Sequence, residues 1–110
     1  MSIKRIEFTD ANFEIQTREG LSVVCFGDPN DHVSRQQLII VDKTVGKIED
    51  EVKVGSCVIE QCSSLAQRFR VTSIPAVLVF KDGQEVERLV GFRHEFTLVK
   101  HLQKDFATDS

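Results

Sequence analysis

Three cysteines and three histidines are the side chains of this sequence best suited to chemistry: Cys25, Cys57 and Cys62, with His32, His94 and His101. A thiol becomes a nucleophile or a metal ligand as its thiolate, which a helix N-terminus or a nearby cation favours and apolar burial disfavours. Cys25 stands in the apolar run Leu21 to Phe26, where a free cysteine acts as a small buried hydrophobe. Cys62 follows Glu60-Gln61 at an expected helix start, where the dipole would lower its pKa and leave it exposed. Two readings stand for it: an incidental surface thiol, or a reactive or dimer-forming one. Cys57 and Cys62 flank an expected strand end and are bridgeable only if the backbone bends there. His32 reads as a solvated helix-start histidine, with a ligand or base as the sharper alternative. His94 and His101 share a face of the expected final helix but sit two turns apart, too far for one metal by themselves. Glu49-Asp50-Glu51 reads as a solvated helix end rather than an acid/base pair. No phosphate-binding glycine motif and no Ser/His/Asp spacing is present. Neither a metal nor a cofactor is expected.

The elements that must position these groups are organised around Val71 to Phe92. The apolar runs Ala76 to Phe80 and Val86 to Val90 flank Lys81-Asp82-Gly83-Gln84, and Asp-Gly between such runs predicts a β-hairpin. The hairpin is entered through Ile74-Pro75, because proline cannot donate to a ladder and suits the start of a strand. Upstream, Ile3 to Phe8 predicts a strand, Thr9-Asp10 an N-cap, and Phe13 and Ile15 a first helix ending near Gly20. Leu21 to Phe26 reads as a strand buried on both faces. Leu38, Val41, Val45 and Ile48 recur at three- and four-residue steps and predict a helix from His32 to about Glu49, despite the β-branched Ile39-Ile40-Val41 and Gly46. Val52 to Val58 predicts a strand, and Ser63 to Phe69 a short helix. Phe96, Val99, Leu102 and Phe106 mark the apolar stripe of a final helix.

The resulting order, β-α-β-α-β-α-β-β-α, predicts an α/β domain with a mixed sheet covered on both faces. One domain over residues 1–106 is expected, with residues 107–110 a frayed tail. The 110 residues suffice to bury a core without staples. Net charge is −3 and the basic residues are scattered, which argues against a nucleic-acid partner. No apolar run reaches the roughly 20 residues that span a bilayer, and Met1 to Arg5 lacks a leader's apolar core. Three cysteines are not a secreted disulfide framework, so a cytoplasmic location is expected.

Ile59-Glu60-Gln61, Leu65-Ala66, Phe69, Val71-Thr72-Ser73-Ile74-Pro75, Phe80-Lys81-Asp82-Gly83 and Val90-Gly91 keep the mutual spacing of a known pattern. Upstream, Phe8-Thr9-Asp10, Phe13 and Val23-Val24-Cys25-Phe26 extend it. The chain resembles the thioredoxin family over almost its whole length. The resemblance implies a thioredoxin fold and a cis Ile74-Pro75 bond. In its register the family's Trp-Cys-Gly-Pro-Cys is replaced by Asn30-Asp31-His32-Val33-Ser34. Cys25 falls where the family keeps a buried acid, and Ser56 where it keeps the lysine paired with that acid. Cys25 then lies beside Ser56, so that Cys25 and Cys57 point to opposite sides of the sheet.

Disulfide exchange needs an exposed, activated thiolate and a second thiol to resolve the mixed disulfide. Asp31 and Ser34 supply neither, although Asp31 suits an N-cap. The expectation is therefore a non-catalytic protein- or peptide-binding module, an adaptor or assembly chaperone. Its groove would comprise Asn30, His32, Ser73, Ile74, Pro75, Val90, Gly91 and Phe92, and would take an extended peptide by backbone hydrogen bonding. With neither Trp nor Tyr present, Phe92 and Phe96 are the candidate aromatic platform. The alternative is an atypical thiol-disulfide oxidoreductase acting as a monothiol through Cys62. A monomer or weak homodimer is expected.

Overall fold

The structure, a computed structural model, describes residues 3–48 and 51–106. The expected tail at 107–110 and the Glu49-Asp50 part of the acidic run lie outside them. In chain order the elements are β1 (Ile3–Phe8), α1 (Phe13–Thr17), β2 (Leu21–Gly27), α2 (His32–Ile48), β3 (Val52–Val58), α3 (Ser63–Arg68), β4 (Ala76–Lys81), β5 (Gln84–Val90) and α4 (Glu95–Phe106).

The strands form one sheet in the order β1-β3-β2-β4-β5. β3 pairs in parallel with both β1 and β2, β4 runs antiparallel to β2, and β5 antiparallel to β4. The near-continuous apolar sequence of β2 follows from this place: it is the middle strand, and all of Leu21 to Phe26 is buried. Alternate residues serve opposite faces. Val23, Cys25, Val77 and Val79 join Val41 and Val45 of α2 and Leu98 and Leu102 of α4. Val24, Phe26, Cys57 and Leu78 join Phe13 of α1 and Leu65 and Ala66 of α3. Cys25 and Cys57 thus belong to different faces, with Cys25 opposite Ser56 in the ladder.

Phe13 organises the second layer. Its ring lies 5.1 Å from Phe80 and 5.4 Å from Phe69, both tilted toward edge-on contact, and Arg68 stacks over Phe69 at 4.8 Å. At the hairpin tip Asp82 and Gly83 both have positive φ, 50° and 84°, the requirement of a two-residue turn that matches strand twist. The Asp82 carboxylate accepts the Gly20 N–H at 2.7 Å, and the Asp82 N–H donates to the Gly20 carbonyl at 2.9 Å. A bulge between Val79 and Phe80 leaves Val86 unpaired and exposed on the edge strand. Gly55 answers a different demand: a Cβ there would lie 1.6 Å from the Ile6 carbonyl oxygen, so β1 reaches β3 only because no side chain is present.

Several local expectations are corrected. The N-cap of α1 is Asn12, with no side-chain cap; Thr9 exchanges hydrogen bonds with Asn12 in the turn before the helix, and Asp10 turns away to accept the Leu65 N–H of α3. Ile15 is exposed, because a helix of five residues buries only one side. The apolar stripe of α4 is Leu98 and Leu102, whereas Phe96 is 79% exposed. The three-residue step from Phe96 to Val99 follows a neighbouring stripe, and Val99 is only half-buried. His94 precedes α4, its carbonyl accepting the Leu98 N–H. His101 instead faces β5, with Nδ1 3.3 Å from Glu87, which Lys104 also approaches at 3.2 Å. The side chains of Ile48 and Phe106 lie outside the described set.

Candidate functional site

Three segments emerge from one end of the sheet. Phe26 at the end of β2 lies opposite Ala76 at the start of β4, and Ala76 lies opposite Val90 at the end of β5. The corner after β2, the approach to β4 and the exit from β5 therefore gather there. The structure brings together Asn30, His32, Ser73, Ile74, Pro75, Val90, Gly91 and Phe92 in this sense. Phe96 is elsewhere, on a shallow depression with Lys47, Glu95, Val99 and Gln103.

At the corner, Asp28 accepts the Asn30 N–H at 2.9 Å, and its carbonyl takes the Asp31 N–H. Asp31 is the N-cap of α2. Its carboxylate accepts the Ser34 N–H at 3.1 Å and the Ser34 hydroxyl at 2.8 Å, which satisfies a free donor of the first turn. The Ser34 hydroxyl is the chief reason the Asp31 carboxyl is held below its usual range, with backbone N–H groups and Arg35 adding to it. Ser34 is buried, whereas Asn30, His32 and Val33 are exposed. Arg35 reaches back to the Pro29 carbonyl at 2.7 Å. Beneath the corner lies a cavity of about 120 Å³ bordered by Cys25, Asp28, Ser34, Arg35, Leu38 and Ser56. Cys25 is 2% exposed there, and burial pushes its thiol up to about 12.

The facing segment contains a cis peptide bond between Ile74 and Pro75. Ser73 is exposed, Ile74 half-buried against the aromatic layer and Pro75 buried. The Pro75 carbonyl accepts the Gly91 N–H at 2.8 Å, tying the two segments together, and Gly91 has a φ of 90°. No backbone hydrogen bond of Ser73 occurs among the described residues. The Phe92 ring packs edge-on against His94 at 4.9 Å.

Sequence reasoning missed Gln37. Fully buried on α2, it accepts the Arg93 N–H at Oε1 and donates from Nε2 to the Arg93 carbonyl. The available signal was a polar residue four positions before Val41 and eight before Val45, on the stripe that faces the core.

The expectation for Cys62 is corrected. The thiol is fully buried, and Sγ donates to the Phe8 carbonyl at 3.2 Å. Burial raises its pKa, with the charges of Asp10 and Glu7 acting in the same direction. Its N-cap position turns the side chain into the aromatic layer rather than toward solvent, so a helix of six residues offers it little dipole and no exit. Cys57 is buried beside it and pushed up further, by burial first and by Cys62 second. All three cysteines are free.

The strand order is that of the thioredoxin fold. The thioredoxin family profile matches residues 5–104. The thioredoxin of Staphylococcus saprophyticus is 26% identical over 99 residues, covering 90% of this chain and 95% of the relative. Those of Staphylococcus haemolyticus and Staphylococcus aureus are 27% identical over the same length and coverage. The chain belongs to the thioredoxin family, and its fold is the thioredoxin fold. Among the described residues, no helix is long and apolar enough to cross a membrane.

Proposed function

We propose that this thioredoxin-family protein is a non-catalytic binding module, an adaptor or assembly chaperone that holds an extended peptide or a segment of another protein. The observation that carries the reading is the corner itself. Asp31 and Ser34 stand at the start of α2 hydrogen-bonded to each other, so the helix end that would activate a thiolate is spent on a cap. What supports it further is the burial of all three thiols, which holds them away from a polypeptide substrate. Cys62 as a monothiol nucleophile is not favoured on the same ground.

The binding surface is the Ser73-Ile74-Pro75 segment with Asn30, His32, Val90, Gly91 and Phe92 around it. An extended peptide would pair with the backbone of Ser73, which has no partner among the described residues, and rest apolar side chains on Ile74 and Phe92. Free thiols fit a reducing compartment, the cytoplasm. Neither nucleic acid nor membrane is a partner in this reading, and the protein acts as a monomer or a weak homodimer.

The test is insulin reduction with NADPH and a thioredoxin reductase. The expected result is no turnover above that of a variant with all three cysteines replaced by alanine, together with chemical-shift changes at 73–75 and 90–92 on addition of an unfolded polypeptide. Turnover above the cysteine-free variant would overturn the reading.

A further inference from the structure

Cys57 and Cys62 share a buried cluster that the peptide-binding reading does not use. Phe8 is the ladder partner of Cys57, and the carbonyl of the same Phe8 takes the Sγ–H of Cys62 at 3.2 Å. The Cys62 N–H bonds the Val58 carbonyl, so the chain turns back on itself directly after Cys57, supplying the bend that a bridge between the two requires. Both sulfurs are free, and both sit in the layer beneath α1 and α3.

We propose that Cys57 and Cys62 are a stoichiometric two-electron switch, closing to an intramolecular disulfide when the protein meets a small neutral hydroperoxide such as hydrogen peroxide. Cys62 is the attacking thiol. Cys57 is enclosed in the ladder between Phe8 of β1 and Phe26 of β2, whereas Cys62, equally buried, is the N-cap residue of a helix of six residues. A side-chain cap from Asp10 to the Leu65 N–H holds that helix's first turn, and release of the turn uncovers Cys62 before Cys57. The Cys62 thiolate attacks one peroxide oxygen: an S–O bond forms, the O–O bond breaks, and hydroxide leaves with the thiol's proton as water. The Cys57 sulfur then attacks the Cys62 sulfenic sulfur, forming S–S and breaking S–O, with a second water released. The thiols lose two electrons and the peroxide gains them. Asp10, bonded to the first turn of α3, places negative charge at this opening, which disfavours a bulky anionic disulfide such as oxidised glutathione relative to a small neutral oxidant.

The full-length reduced protein, exposed to hydrogen peroxide, alkylated in denaturant and digested with trypsin, provides the test. One peptide, residues 54–68, contains both cysteines. It is expected two hydrogens lighter and unalkylated while Cys25 remains alkylable, and to form about tenfold more slowly with equimolar oxidised glutathione. Cys62 sulfinic or sulfonic acid beside an alkylated Cys57, an intermolecular disulfide, or equal rates with the two oxidants would overturn the proposal. Asp10→Ala, which removes the cap, is expected to speed disulfide formation several-fold beyond Asp10→Asn, which loses the charge but keeps an acceptor. Equal rates in the two variants would overturn the opening route. In Cys57→Ala a dimedone adduct is expected on Cys62; in Cys62→Ala adduct formation on Cys57 at a similar rate would overturn the assignment of the attacking thiol.

Discussion

The side-chain amide of Gln37 holds both backbone groups of Arg93, accepting its N–H at 2.6 Å and donating to its carbonyl at 3.0 Å. Only one orientation of the amide satisfies both bonds, since the flipped amide would set donor against donor and acceptor against acceptor. The middle of α2 is thereby fastened to the segment that follows Gly91 at the edge of the proposed groove.

Gln37→Leu keeps the volume and leaves the N–H and carbonyl of Arg93 unpartnered. Because Arg93 is half-buried, water recovers part of the loss, and a destabilisation of about 2 kcal/mol is expected in urea unfolding. Gln37→Glu should cost at least as much at neutral pH, because it turns a carboxylate oxygen toward the Arg93 carbonyl. Hydrogen exchange at 91–93 should accelerate in both variants, and an unchanged exchange rate would remove the clamp from the account.

The thiols set the alkaline limit of stability. The folded pKa of Cys25 is raised from 9.0 to about 12, so the unfolded chain releases its proton first as pH rises. The stabilisation is complete below about pH 9 and is lost progressively toward about pH 12. One unit above the unfolded value, at about pH 10, Cys25 alone should cost about 1.4 kcal/mol of stability. Cys57 and Cys62 are raised as well and add to the slope in the same direction. The chain has no tyrosine, so no phenol contributes to this slope. Cys25→Ala should lower stability at neutral pH yet flatten its fall between about pH 8 and about pH 10, as measured by urea unfolding across that range.

Gly55→Ala is expected to detach β1 from β3. The obstruction is the Ile6 backbone carbonyl, 1.6 Å from the added carbon, and backbone cannot rotate aside as a side chain would. A loss of about 3 kcal/mol or more is expected, with amide exchange in 3–8 rising ahead of the rest of the sheet. A stable Gly55→Ala variant with protected β1 amides would contradict this register.

Much of this architecture was legible in the sequence for identifiable reasons. The Asp82-Gly83 turn, the apolar run of β2 and the spacing of Val41 and Val45 each report a local rule that tertiary packing did not contradict. The opposed faces of Cys25 and Cys57 followed from strand alternation once the register was set. Burial was harder to read. Phe96 and Ile15 are apolar and exposed, because short or edge-facing helical turns leave large side chains outside. Cys62 has the neighbours of a surface thiol in sequence, but its environment is set by Phe8, far away along the chain. Gln37, Gly55 and Asp10 share that property: each is defined by a partner on another element that no local pattern names.

The division of the cysteines between the two faces of the sheet gives the molecule internal reporters. A thiol reagent reaches Cys25 when the layer of α2 and α4 parts, and reaches Cys57 and Cys62 when the layer of α1 and α3 does. Labelling rates at the two positions therefore time two separate motions, and the five strands between them act as a partition whose sides can be interrogated one at a time.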